Sequence, residues 1–499
     1  MYTAQGCRDL DRIAIEGGQP GIELMRRAGR TLFDVLIDGW PSLSRLSICC
    51  GRGNNAGDGY VVAELALAHG IAVDLIQIGD PADLTGDAAT ARDDALAAGV
   101  VVARTDDGVS ELHGEVIVDA LLGTGIQGAP RQAYAALIER MNSASAPTVA
   151  VDIPSGVAAD TGAAEGVAIK AHTTVTFIGR KIGLHTGVGA ALAGEVVYAG
   201  LGVGKDVHAQ VAGIDWLTFD ALSKISGSLR RDPQAYKHAL GHVAIVGGDE
   251  SMGGAVAMAA EAVLRCGAGM VTAITHGSHR NAILARQPEV MVLDAEDETL
   301  RDEVLNKVNA FVIGPGLGRR PWGRKLFESA LAAAVDKPTL LDADGLYWLA
   351  ESAVHPPAGT VITPHAAEAA RLLGCTVAEV GVDRISSAVA LAGKVNGVAV
   401  LKGAGTVIAD ASSVTGICAH GNPGMASAGM GDVLSGVIGA LLAQGLDALQ
   451  AASLGACLHS LAGDRAAALQ GEVSLVATDL IPEMVALLKS ATSTGIGQE

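Results

Sequence analysis

Aromatic residues are scarce, 3% of 499, which excludes the base-stacking platforms of single-strand nucleic-acid binders. Positive charge is scarce too. The 35 lysines and arginines stand against 54 acids, for a formal net charge of −19. Such a chain repels polyanions, so nucleic acid and anionic membrane are not expected partners. Small phosphate compounds remain possible, because backbone N–H groups and helix N-termini supply local positive potential. The seven cysteines form no C-x-x-C pair; an odd, dispersed set predicts reduced thiols and a cytoplasmic protein. No uninterrupted apolar run reaches the ~18 residues of a membrane span. The opening M-Y-T-A-Q-G-C-R-D-L-D-R shows no signal peptide.

What the chain has is glycine: 65 residues, close to twice the usual ~7%. With 49% hydrophobic and 18% charged residues it can bury large cores. Its length predicts two or three domains at roughly 100–200 residues each. Short apolar runs alternate with alanine-rich helical stretches. Strands are expected at 46–50, 73–78, 116–120, 148–152 and 174–178, then at 242–246, 270–275, 310–313, 339–342, 360–362 and 398–402. Helices are expected at 59–69, 133–141 and from 432 to about 469. Continuous apolar strands alternating with helices imply parallel sheets covered on both faces. The stretch 204–238 carries scattered charge and no strong strand, and is read as the segment between domains, with the domains set at 1–215 and 216–499. Residues 490–499 read as a frayed tail.

Three loops of the first half follow strand ends: G-R-G-N-N-A-G-D-G (51–59), L-L-G-T-G-I-Q-G-A (121–129) after Asp119, and D-I-P-S-G (152–156). The first lacks both the Lys-Ser/Thr end of a P-loop and the G-x-G-x-x-G fingerprint. Alone it could be a structural turn. Ligands of open α/β sheets lie at the carboxyl ends of strands, so the three loops could share one crevice. Asn55, Asp119 and Ser155 would bring oxygens suited to a hard cation.

In N-N-x-G-D-G, D-A-x-x-G-T-G, D-I-P-S-G and L-M-R-R-A-G (24–29) the first half resembles the NAD(P)H-hydrate epimerase family. That resemblance implies a Rossmann-like three-layer αβα domain. It further implies that Asn54, Asn55, Ala56, Gly57, Asp58, Gly123, Thr124, Gly125, Ile126, Gln127, Gly128, Ala129 and Asp152 hold the hydrated dinucleotide, and that potassium lies on Asn55, Asp119 and Ser155. Asp119 is the acid/base candidate. Ala56 stands where the family commonly has glycine.

In the second half, G-G-D-E-S-M-G-G-A (247–255), G-P-G-L-G (314–318), D-A-D-G-L (342–346), T-P-H-A-A-E (363–368) and K-G-A-G-T (402–406) all follow strands. The run G-N-P-G-M-A-S-A-G-M-G-D (421–432) leads into a helix. Successive backbone N–H groups at a helix start form an anion hole, and glycines let a phosphate reach them. Asp432 could merely offset the helix dipole; with Gly429, Gly431 and Asn422 beside it, a base toward a hydroxyl held against phosphate is the stronger reading. His365 reads as a loop histidine in ligand contact.

This half resembles the ADP-dependent NAD(P)H-hydrate dehydratase family, with a ribokinase-like αβα fold. The resemblance implies that Lys402, Gly403, Ala404, Gly405, Thr406, Gly429 and Gly431 bind the adenine nucleotide, with Mg²⁺. Ala255, Gly316, Gly318, His365 and Asp432 would contact the hydrate. Ala428 stands where glycine is more usual. The joint expectation is repair of hydrated NADH and NADPH: R and S forms interconverted, the S form dehydrated with ADP, or with ATP. ADP is the preference of the family's bacterial members. Two rivals are a ribokinase-like small-molecule kinase acting on a vitamin precursor, and a first domain that only senses nucleotide or assembles. The flat alanine-rich helix faces suggest a homo-oligomer.

Overall fold

The central apolar runs become fully buried strands because helices cover both of their faces. The computed structural model describes residues 1–108, 110–126 and 128–493. It divides into two units, Met1–Ile214 and Asp215–Glu499.

The first unit holds β1 (Arg45–Cys50), β2 (Ala72–Ile78), β3 (Val102–Thr105), β4 (Val116–Ala120), β5 (Thr148–Val151), β6 (Thr173–Phe177) and β7 (Glu195–Ala199). They form one sheet in the order β3-β2-β1-β4-β5-β6-β7, parallel throughout. One face packs Leu46 and Ile48 against Leu32, Phe33 and Tyr60 of the helices Gly21–Gly39 and Asn54–Ala68. The other packs Cys49, Ile76 and Ile117 against Leu137, Ile138 and Met141 of the helix Gln132–Ser143. Each such apolar side chain contributes about 1.5–3 kcal/mol. This is the Rossmann-like three-layer arrangement. Strand order reverses between β1 and β4, the place where such sheets open a crevice.

The second unit holds β8 (Asp215–Leu217), β9 (His242–Val246), β10 (Met270–Thr275), β11 (Met291–Asp294), β12 (Ala310–Ile313), β13 (Thr339–Leu341), β14 (Val361–Ile362), β15 (Val398–Leu401), β16 (Val407–Asp410) and β17 (Val414–Cys418). Their order is β11-β10-β9-β12-β13-β14-β15-β16-β17-β8. Only β15–β16 and β16–β17 pair antiparallel. Val243, Ile245, Val312 and Leu340 pack against the helices Gly253–Arg265, Met430–Ala443 and Ala448–Gln470. Small residues bring those helices close. A Cβ at Gly436 would stand 2.3 Å from the Ala259 carbonyl oxygen.

Three expectations are corrected. The stretch 204–238 contains β8, an edge strand of the second sheet; three residues, one of them charged, give no apolar run to see. Residues 54–59 form the opening turns of a helix rather than loop, and residues 490–493 continue the last helix, Leu480–Ser493. No helix among the described residues is long and apolar enough to cross a membrane.

Candidate active sites

At the first sheet's switch point a cleft of about 540 Å³ opens, and Asn54, Asn55, Asp58, Gly123, Thr124, Gly125, Ile126 and Asp152 line it. The chain must turn sharply into it: a Cβ at Gly51 would strike the Leu121 carbonyl oxygen at 1.8 Å. Ala56 and Gly57 are buried beneath the wall instead. Gly57 lets the helix approach Met25 and Ala88, while Ala56 is helical with no left-handed φ, so its methyl costs nothing. Gly128 and Ala129 are exposed and off the wall. Gln127 lies outside the described residues.

Asp119 is not on the wall. It is fully buried, with Oδ1 accepting from Ser155 Oγ (2.6 Å) and Leu121 N (3.2 Å), and Oδ2 from Ser155 N (2.8 Å). Burial pushes its carboxyl up to about 6 despite those bonds. The structure places this acid/base candidate beneath the cleft wall, where it pins the loops after β4 and β5. Asn55 does join it there. Its Nδ2 donates to the carbonyls of Leu122 (3.2 Å) and Val151 (2.8 Å), and Ser155 Oγ also reaches the Leu122 carbonyl (3.3 Å).

The cleft holds charged groups that motif reading missed. Lys181, 2% exposed, ion-pairs with Asp152 and donates to Thr176 Oγ1 (3.2 Å) and the Phe177 carbonyl (3.0 Å). Asp152 sits at φ 67°, a strained setting for a non-glycine residue and one that points to function. Asp11 and Arg52 line the same cleft. The only sequence hint was a lysine just past a strand and followed by apolar residues, in R-K-I-G-L-H-T.

In the second unit the carboxyl ends of β13, β14 and β15 lie side by side, and Asp342 and Lys402 follow two of them. Lys402 Nζ donates to Asp342 Oδ1 at 2.8 Å, and Ser435 Oγ to Asp342 Oδ2 at 2.7 Å. Neither Asp342 nor Ser435 was among the expected site residues. Ala343 between the two aspartates is strained, at φ 49°, ψ −122°. That kink lets Asp342 face Lys402 while Asp344 accepts from Gly318 N (3.0 Å) and Arg319 Nε (2.9 Å).

Above this pair begins the helix Met430–Ala443, capped by Gly429 in left-handed conformation, φ 90°. A Cβ on Gly431 would lie 3.3 Å from Lys402 Nζ and 3.4 Å from Asp342 Oδ2. Asp432 stands in the helix's first turn. Burial, then Asp342, push its carboxyl up to about 7, with Lys402 opposing. Gly403, Ala404, Gly405 and Thr406 turn from β15 to β16 beside Lys402. Gly316 packs against Ala255, its built Cβ 3.2 Å from that methyl. His365 caps the helix Ala366–Leu373: Nδ1 accepts from Ala367 N (3.1 Å) and Glu368 N (3.3 Å), and Glu368 Oε2 accepts from His365 N (2.9 Å). Its structural work is thus visible, and Nε2 of the exposed ring also lies 3.4 Å from Glu368 Oε1.

A dinucleotide-order sheet with a charged cleft, and a lysine–aspartate pair beneath a glycine-opened helix start, define a two-domain α/β enzyme that handles nucleotides. A family model described as NAD(P)H-hydrate dehydratase matches residues 243–485, and one described as YjeF-related protein N-terminus matches residues 21–183. The chain belongs to the family of bifunctional NAD(P)H-hydrate repair enzymes. It is 41% identical to the bifunctional NAD(P)H-hydrate repair enzyme of Coxiella burnetii over 98% of this chain and 99% of that one. With the enzyme of the same name from Escherichia coli it shares 44% identity over 92% and 88% of the two chains. The crystal structure of a ribokinase-like superfamily protein of Enterococcus faecalis covers 56% of this chain and 96% of its own at 28% identity and a TM-score of 0.52. The second unit is ribokinase-like.

Proposed function

We propose that this chain repairs hydrated NADH and NADPH, the first unit interconverting the R and S forms at C6 and the second dehydrating the S form with ADP. The observation that carries the reading is Asp432 in the first turn of the helix opened by Gly429, with Lys402 against that turn. Hydroxide is a poor leaving group, and phosphorylation makes the C6 oxygen a good one. Asp432 takes the hydroxyl proton, while the main-chain amides at Gly429–Gly431 and the Lys402 ammonium receive the transferring phosphoryl. Transfer of that phosphoryl leaves AMP; phosphate then departs from C6, pushed by the ring nitrogen lone pair, and loss of a C5 proton forms the C5=C6 bond and restores the reduced nicotinamide. Magnesium carried by the nucleotide would neutralise phosphate charge.

In the first unit, Asn55, Asp119 and Ser155 gather at the carbonyls of Leu122 and Val151, with the Asn55 Nδ2 donating to both carbonyls and Ser155 Oγ to Asp119. With the Asn55 amide turned to present its oxygen, this set with its single carboxylate would suit a monovalent hard cation such as potassium. No cluster of three or more His, Cys, Asp or Glu suited to a metal occurs among the described residues. A cation there would fix the loops that frame the cleft. All seven cysteines are free, in keeping with a cytoplasmic setting.

The test is incubation of the purified chain with mixed R and S hydrates and ADP. Recovery of reduced-nicotinamide absorbance from both forms, with one free phosphate per turnover, is expected. A stable phosphorylated product with no recovered absorbance would instead make the second unit a kinase.

A further inference from the structure

We propose that Asp58 is the group that gives a proton to, and takes it back from, the C6 oxygen in the first unit's cleft; this rests on the epimerase reading above. Asp58 lies in the opening turns of the helix Asn54–Ala68 and lines the cleft together with Asp11, Asp152 and Lys181. It is 8% exposed, and no hydrogen bond or ion pair to its side chain is found among the described residues. Asp152 is its opposite. That carboxylate is committed to Lys181, Phe177 N (3.1 Å) and Thr176 Oγ1 (3.3 Å), and these partners hold it in place.

Burial, followed by the charges of Asp152 and Asp11, pushes the Asp58 carboxyl well above the ordinary range, with Lys181 acting the other way. A buried carboxyl with no partner among the described residues, beside one tied to a lysine, gives the cleft one group free to carry a proton and one fixed in position.

Asp58 donates its proton to the C6 hydroxyl. The C6–O bond breaks, its electron pair leaving with the oxygen as water, and the N1 lone pair forms the N1=C6 bond. The ring is now cationic and C6 is flat, with the Asp152–Lys181 pair on the same cleft wall. Water adds from either face, the N1=C6 pair returns to nitrogen, and the surplus proton returns to Asp58. Only the configuration has changed, and no co-reactant other than water is used.

The full chain is given the R hydrate in ¹⁸O-labelled water, without nucleotide. Each inversion by the wild type is expected to place one solvent oxygen at C6. Asp58→Asn keeps the shape of a neutral carboxyl and is expected to lose at least about 100-fold in epimerisation rate. Its affinity for the hydrate and its melting temperature should stay near wild type. Asp58→Glu should regain part of the rate, and it serves as the second variant if Asp58→Asn does not fold. Epimerisation by Asp58→Asn at the wild-type rate, or inversion with the original oxygen retained, overturns the assignment while leaving the epimerase reading intact. A wild type that leaves the R form untouched takes down that reading and this assignment together.

Discussion

Each unit sets a lysine against an aspartate just past the carboxyl edge of its sheet, and the two pairs are used in opposite ways. Lys181 spends all three of its donors inside the protein, on Asp152, Thr176 Oγ1 and the Phe177 carbonyl. It is a strut that fixes the position of Asp152. Lys402 has one such partner, Asp342, and its side chain is 21% exposed. The remaining donors lie against the turn that opens at Gly429. A lysine with no donor left can only position a neighbour, whereas one with donors to spare beside a helix N-terminus can receive an anion. On the proposed function, the first pair suits acid–base work on a carbinolamine in the cleft, and the second suits phosphoryl transfer at the helix start.

The largest effect expected from this contrast is at Asp432. Asp432→Asn should lower nucleotide-dependent recovery of reduced nicotinamide by about 10²–10⁴-fold, while the R and S forms still interconvert. Undiminished recovery would remove the base and with it the second half of the comparison. The same carboxylate sets the pH dependence. As a base it works ionised, and its carboxyl is pushed up to about 7, so kcat for dehydration should rise as pH climbs through about 7. Folding runs the other way. A carboxyl raised in the folded state holds its proton better there than in the unfolded chain. Its contribution to the second unit's stability is therefore lost between the ordinary 3.8 and about 7 as pH rises. A dehydration rate flat across that window would contradict the assignment.

The lysines themselves sharpen the comparison next. Lys181→Met leaves Asp152 charged beside a 2% exposed position, and breaking a buried pair on one side costs about 3–5 kcal/mol. The first unit should melt early. Lys402→Met should cost less, because Asp342 keeps the Ser435 hydroxyl (2.7 Å) and the Lys402 side chain already reaches solvent. Its main effect should be a raised KM for the nucleotide. Equal losses of Tm in the two variants, with nucleotide KM unmoved, would show that both lysines are struts.

Much of this arrangement was legible in the residues. The central strands were, because a parallel strand covered on both faces must be apolar along its whole length. The edges were not: β3 reads V-A-R-T and β8 reads D-W-L, half-exposed stretches with no continuous apolar run. The glycine loops mark the first unit's cleft and the helix start at Gly429, but the ends of strands β4 and β5 look alike in sequence. An aspartate there pins a loop at Asp119 and faces the cleft at Asp152, and only three-dimensional placement separates them. The partners that decide the chemistry are distant in the chain: Lys181 is 29 residues from Asp152, Lys402 is 60 from Asp342, and Ser435 is 93 from Asp342. No spacing rule reaches that far.

The smallest effect separates the two uses of His365, which is both cap and expected ligand contact. Its Nδ1 accepts from Ala367 N and Glu368 N, work that an asparagine oxygen can do equally well. His365→Ala should cost about 1 kcal/mol in stability, and His365→Asn should recover nearly all of it. Binding follows a different rule, because the exposed imidazole ring, with its Nε2 beside Glu368 Oε1, has no counterpart in asparagine. KM for the hydrate should therefore stay raised in both variants while the melting temperature returns only in His365→Asn. If asparagine restored both, the capping box with Glu368 would be the whole role of this residue, and hydrate contact would pass to the Ala255–Gly316 wall alone.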